Sequence, residues 1–141
     1  MLRSRLASSI EDTERMCVDP RLPFVEFRIP PDPAYVRIAR LAAGDMGGRV
    51  GFSIDELDDV RLAVDEMCAV LIGTRASVIE VRMQARERTL IVEGRAPDAA
   101  TETVASELSE MLLGALVDSC VFTVHGHEAR VEMQKLAREI A

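Results

Sequence analysis

Leu57–Ile72, LDDVRLAVDEMCAVLI, is the stretch whose reading decides the fold. Leu57, Val60, Val64, Met67 and Leu71 recur at steps of three and four, the signature of a helix with one buried stripe. Upstream, Ser53 and Glu56 form a Ser-x-x-Glu capping box, and Asp55, Glu56, Asp58 and Asp59 crowd the positive end of the helix dipole. Glu66 stands out, because Leu62 and Val70 lie one turn to either side of it. An acid so placed is either a structural accident or a group whose surroundings serve it.

Working outward, the 141 residues are enough for one domain with a real core. A hydrophobic content of 48% and a mean hydropathy of +0.09 suit a soluble globular protein. The net charge of −7 argues against nucleic acid as a partner, since little here could neutralise a run of phosphates. Lys135 is the single lysine, and the abundance of arginine by itself marks no phosphate site. Cys17, Cys68 and Cys120 are odd in number and lack a C-x-x-C spacing, so free thiols in a reducing compartment are expected. No apolar run approaches the ~18 residues of a membrane span, and the start lacks a hydrophobic signal core. The expectation is a cytoplasmic protein with no membrane attachment.

Residues 1–22 read as a flexible N-terminal arm and 23–138 as the folded domain. Phe24–Ile29 alternates as a strand does, and Pro30-Pro31 stops it. Asp32 suits an N-cap with Pro33 in the first helical position. A first helix is predicted from Ala34 to Ala43, with Gly44, Gly47, Gly48 and Gly51 as a flexible exit. The capped second helix ends near Gly73. Val78–Ala85 and Thr89–Glu93 read as strands, Gly94–Ala100 as a loop, and Thr101–Leu116 as a helix with Val104, Leu108, Met111, Leu112 and Ala115 on one face. Cys120–Val124 and Ala129–Leu136 close the chain as a hairpin turning at His125-Gly126-His127. The order βααββαββ predicts an α+β fold, a two-layer α/β sandwich whose helices cover one face of a mixed, mostly antiparallel sheet.

This order, together with DDVRLAVDEMC, resembles the anti-sigma-factor serine-protein kinases of RsbW type, in the GHKL (histidine kinase-like, Bergerat) ATPase superfamily. The resemblance covers roughly Phe24–Arg138. It implies that Glu66 occupies the place of a general base, and that an Asn one turn later should ligate magnesium. Here that place holds Val70, whose isopropyl group offers a hard cation no lone pair, and Thr74 is a weak substitute. The family's Asp-x-Gly-x-Gly nucleotide motif maps to Gly94, Ala96 and Asp98, none of which matches. Glu93, the nearest acid, falls on the other face of its strand. The glycines expected before the last helix are replaced by Glu107-Leu108-Ser109-Glu110, which carries two carboxylates.

Three pieces of nucleotide chemistry are therefore absent together, and the expectation is a degenerate scaffold that binds a partner without hydrolysing ATP. Glu66 would be a vestigial base, with no metal held and no cofactor. The partner implied by the resemblance is a sigma factor or an anti-sigma antagonist. Arg37 and Arg40 are candidate contacts, because the corresponding helix of the family serves sigma-factor binding and dimerisation, and a homodimer is compatible with that. The alternative is an active ATP- and magnesium-dependent serine kinase using Glu66. Asp65 is read as the i,i+4 partner of Arg61, and His125 and His127 as a polar turn rather than a metal site.

Overall fold

The computed structural model describes residues 2–3, 17–100 and 105–138. A two-residue strand β1 (Leu2–Arg3) is followed by β2 (Val25–Ile29), α1 (Val36–Val50), α2 (Ile54–Ile72), β3 (Ile79–Arg86), β4 (Thr89–Ala96), α3 (Glu107–Leu116), β5 (Ser119–His125) and β6 (Glu128–Leu136). The sheet order is β1-β5-β6-β4-β3-β2, and every neighbouring pair is antiparallel. The expected two-layer sandwich is present, with no parallel pair among the described strands.

The core lies between the sheet and the helices. Val60, Val64, Met67 and Leu71, the stripe read from the sequence, are buried against Ile79, Val81, Met83, Leu90 and Val92. Each such side chain contributes about 1.5–3 kcal/mol on leaving water. The capping box forms as read: Ser53 Oγ accepts from the Glu56 amide at 3.1 Å, and Glu56 Oε1 accepts from the Ser53 amide at 2.9 Å. Glu56 Oε2 accepts a further hydrogen bond from the Arg138 amide, 2.9 Å away, which ties the chain beyond β6 to the foot of α2. Burial works to raise the Glu56 pKa, but these amide donors prevail and hold it below the ordinary carboxylate value.

The glycine-rich exit of the first helix is instead its second half. Glycine lowers helix stability by about 1 kcal/mol relative to alanine, and tertiary packing overrides that preference here. A Cβ on Gly47 would lie 2.7 Å from Leu57 Cδ2 and from Phe52 Cδ2, and one on Gly44 would meet the Arg61 guanidinium at 2.9 Å. The glycines thus let α1 and α2 approach closely. Gly51, at φ +87°, ends α1; its amide donates to Gly48 O, and the Phe52 amide donates to Gly47 O, a Schellman closure.

Two further expectations change. Gly94, Arg95 and Ala96 belong to β4 rather than to a loop, because they pair with Val131, Arg130 and Ala129 of β6. The last helix starts at Glu107, where Ser106 Oγ caps the Ser109 amide at 3.1 Å; residues 101–104, Val104 among them, lie outside the described residues. Its buried residues are Leu113 and Leu116, whereas Leu108, Met111, Leu112 and Ala115 face solvent.

The second sheet face is polar. Arg28 pairs with Glu80 at 3.2 Å and Arg82 with Glu26 at 2.7 Å, while Arg95 bridges Glu80 and Glu128. Arg28, Arg82 and Arg95, three of the sixteen arginines, are engaged in this cross-strand lattice. Residues 17–22, the end of the segment read as an arm, cross this face. The Val18 amide donates to Glu93 Oε2 (2.9 Å), the Asp19 amide donates to Gln84 Oε1 (2.8 Å), and Gln84 Nε2 returns a bond to Asp19 O (2.8 Å). Val18 is buried there.

Candidate functional site

Glu66 lies on the flank of α2 that faces α3. Its Oε2 accepts a hydrogen bond from Ser109 Oγ at 2.6 Å, so the two helices meet through a carboxylate and a hydroxyl. Beside this contact a groove of about 270 Å³ is lined by Glu66, Ala69, Val70, Gly73, Ala105, Ser106 and Ser109. The helical spacing read from the sequence puts Glu66 and Val70 on one wall. Ser106 and Ser109 on the opposite wall were not foreseen as site residues. The signal for them was Ser-x-x-Ser, a cap three residues ahead of a hydroxyl on the same helical side.

Magnesium with a nucleotide triphosphate would need oxygen ligands and cationic or amide donors. On the α2 wall Val70 offers none. Thr74, the weak substitute, is fully buried, and its Oγ1 donates to Leu71 O at 2.6 Å. Gly94 packs beneath α2: a Cβ there would come within 2.7 Å of Leu71 Cδ1 and Met67 Sδ, so the place a longer side chain would need is filled by core atoms. Ala96 is also buried. Asp98 accepts from the Ser77 amide at 3.0 Å and from the Ser77 hydroxyl, and these bonds hold its carboxyl below the ordinary range. Glu93 is on the opposite sheet face, holding Val18.

The connection after β4 is fastened further. Its Ala99 amide donates to His127 O at 2.7 Å, and its Ala100 amide donates to Thr74 O at 2.8 Å. At the start of α3, Ser109's amide is already capped by Ser106, and the first turn carries Glu107 and Glu110. The groove lining includes one carboxylate, Glu66, and no cationic side chain.

Of the other candidates, Arg37 is exposed on α1. Arg40 is half-exposed and reaches across to α2, with its Nε 3.1 Å from Asp65 Oδ1 in a charge contact without hydrogen-bond geometry. Asp65 thus pairs across the helices rather than with Arg61, whose Nη1 lies 3.4 Å from Asp58. Desolvation by burial raises the Asp65 pKa, against the pull of Arg40. Burial also pushes the Cys68 and Cys120 thiols up to about 12, so neither is a thiolate near neutrality. Among the described residues no group of His, Cys, Asp or Glu has metal-binding geometry, and His125 and His127 are exposed at the β5–β6 turn.

Comparison with known proteins places this geometry. Superposition on the crystal structure of the RsbU and RsbW domains of Rv1364c from Mycobacterium tuberculosis covers 85% of this chain and 35% of that one, with a TM-score of 0.61 and 11% identity. The likeness is one of fold. In sequence, the serine-protein kinases RsbW of Bacillus velezensis and Bacillus subtilis are each 38% identical over 45 residues, 32% of this chain and 28% of theirs. The RsbW of Oceanobacillus iheyensis is 37% identical over 43 residues, 30% of this chain and 27% of its own length. The matched segment is thus under a third of those relatives. No family model matches the chain. The resemblance to RsbW-type kinases read from the sequence holds, in part of the sequence and in the fold. Among the described residues no helix is long and apolar enough to cross a membrane.

Proposed function

We propose that this RsbW-like chain is an anti-sigma-type regulator that works by holding a protein partner, a sigma factor or an anti-sigma antagonist, and does so without hydrolysing ATP. The observation that carries the reading is the groove wall. Val70 stands one turn from Glu66, and Gly94 is packed under Met67 and Leu71. A general base there has no metal ligand beside it, no cation for phosphates, and an acidic first turn of α3 opposite. Phosphoryl transfer depends on positioning and charge stabilisation more than on the base itself. Glu66 alone would supply little of either.

The deciding experiment mixes the protein with sigma factors and antagonist-domain proteins encoded beside it, and measures binding with and without Mg-ATP. Micromolar or tighter binding to one of them, indifferent to nucleotide, is the expected result. Absence of any such complex would remove the regulatory reading. The second reading, an active serine kinase, is favoured by the retained Glu66 and its short bond to Ser109. Calorimetry with Mg-ATP tests it: magnesium-dependent heat that disappears in Glu66→Ala would establish the kinase in place of the nucleotide-free binder.

A further inference from the structure

The α3 stripe that the sequence marks as one apolar face is turned outward. Leu108 and Met111 are 74% and 72% exposed, and Leu112 is 40% exposed, whereas Leu113 next to it is fully buried. The contact between Glu66 and Ser109 fixes how α2 and α3 align. They run antiparallel, since Ala105 and Ser106 lie by Val70 and Gly73, while the far end of α3 lies by Asp59, through Lys135, whose Nζ is 2.8 Å from Leu116 O and 3.7 Å from Asp59 Oδ2. One turn back from Glu66 is Leu62, 52% exposed, level with Leu112, one turn on from Ser109. By helical spacing, Leu62 and Leu112 continue the line of the groove along the seam, about three turns or roughly 16 Å from Gly73 to Leu62, with Leu108 one turn before Leu112 on the outward side of α3.

Acids flank that line. Asp55 and Glu66 on α2 and Glu107 on α3 have no cation within ion-pair distance among the described residues. Asp58 and Asp65, on the outward side of α2, are matched by Arg61 and Arg40. An exposed apolar strip with a carboxylate rim fits a partner of opposite charge, and the rim opposes pairing with a second copy carrying the same acids.

We propose that the α2–α3 seam is a docking groove for a basic amphipathic helix, whose apolar stripe packs on Leu62, Leu108 and Leu112 while its arginines or lysines meet Asp55, Glu66 and Glu107. It rests on the binding reading above and assigns that reading a surface. A helix in such a groove is held by anchors at i, i+3, i+4 and i+7.

The test uses the full chain and a fluorescein-labelled synthetic helix of about 18 residues, with leucine at i, i+3, i+4 and i+7 and arginine elsewhere. Controls are a scramble of the same composition and a version with glutamate for arginine. Saturable anisotropy is expected for the basic amphipathic helix, weakened by added salt. The double variant Leu108→Ser, Leu112→Ser, which removes apolar anchors without changing charge, should weaken it by about tenfold or more. A second double variant, Ile38→Ser, Leu41→Ser on exposed α1 positions, should change it by less than about twofold.

Equal binding of the scramble or the acidic helix overturns the proposal. So does no binding, or loss through the α1 variant alone. Sedimentation showing a dimer that the α3 variant dissolves would assign the seam to a second copy instead, and also overturns it. If a sigma factor or antagonist binds with an affinity the α3 variant leaves intact, this surface is wrong and the regulatory reading stands. If the basic helix binds at the seam but no such regulator does, the surface stands and that reading falls.

Discussion

Helix α2 has two flanks built on opposite terms. Toward α1 it is closed: Gly44 and Gly47 remove the Cβ atoms that would hold the helices apart, and Leu57, Phe52 and Arg61 fill the space. Toward α3 it is open: the helices touch at Glu66 and Ser109, a groove runs beside that contact, and leucines remain in water. One side is scaffold and the other is surface. The difference teaches that the single periodic stripe of α2 serves packing, while the residues just off it meet a closed helix contact on one flank and an open groove on the other.

The comparison can be broken by making the same change on each side of that divide. Leu71→Ala, beneath α2, should lower unfolding stability by about 2–5 kcal/mol, and Leu112→Ala, at the seam, by less than about 1 kcal/mol. Urea denaturation reads both, and equal losses would mean the seam is part of the core. On the closed flank, Gly47→Val should cost about 1–3 kcal/mol through overpacking against Leu57 and Phe52. An unchanged urea midpoint would show that the glycine contact is slack.

At the foot of α2, Glu56→Gln should cost about 1–3 kcal/mol at neutral pH, because charge-assisted bonds to two amides are weakened. The sign with pH follows from the lowered pKa. Stability from Glu56 is complete above the ordinary carboxylate value of 4.5 and is lost as pH falls through the lower value in the fold. The gap between wild type and variant should therefore shrink in acid, and a gap that widens would refute the assignment. The smallest effect has the opposite sign. A Cβ on Gly48 meets nothing within 4 Å, so Gly48→Ala should stabilise by about 0.5–1 kcal/mol, seen as a higher Tm.

Much of the fold was legible locally. Ser53 and Glu56 announced the start of α2, its stripe named the buried residues, and His125-Gly126-His127 placed the last turn. Less was legible where an element's role depended on what lay across from it. Gly44 and Gly47 looked like part of a flexible exit because their close approach to Arg61, Leu57 and Phe52 is invisible in local propensity. Leu108, Met111 and Leu112 shared a helical face, but periodicity cannot say whether that face meets the sheet or water. Asp65 had Arg61 at the right spacing, yet Gly44 draws Arg61 aside and Arg40 takes its place.

At the candidate site the sequence named Glu66 and the misfit of Val70, since both follow from helical spacing. It could not supply Ser109, which is 43 residues away and reaches Glu66 only when α3 folds back beside α2. Nor could it say that Thr74 and Asp98 are committed to Leu71 and Ser77.

By itself, the sequence determined which residues could form helices and strands, where α2 begins, and that Val70 stands one turn from Glu66. Only the tertiary structure decided that glycines close one flank of α2 while leucines line the other. The reason is physical: propensity and periodicity act over one or two turns, whereas close approach, burial and charge pairing are set by atoms that become neighbours only when distant segments pack.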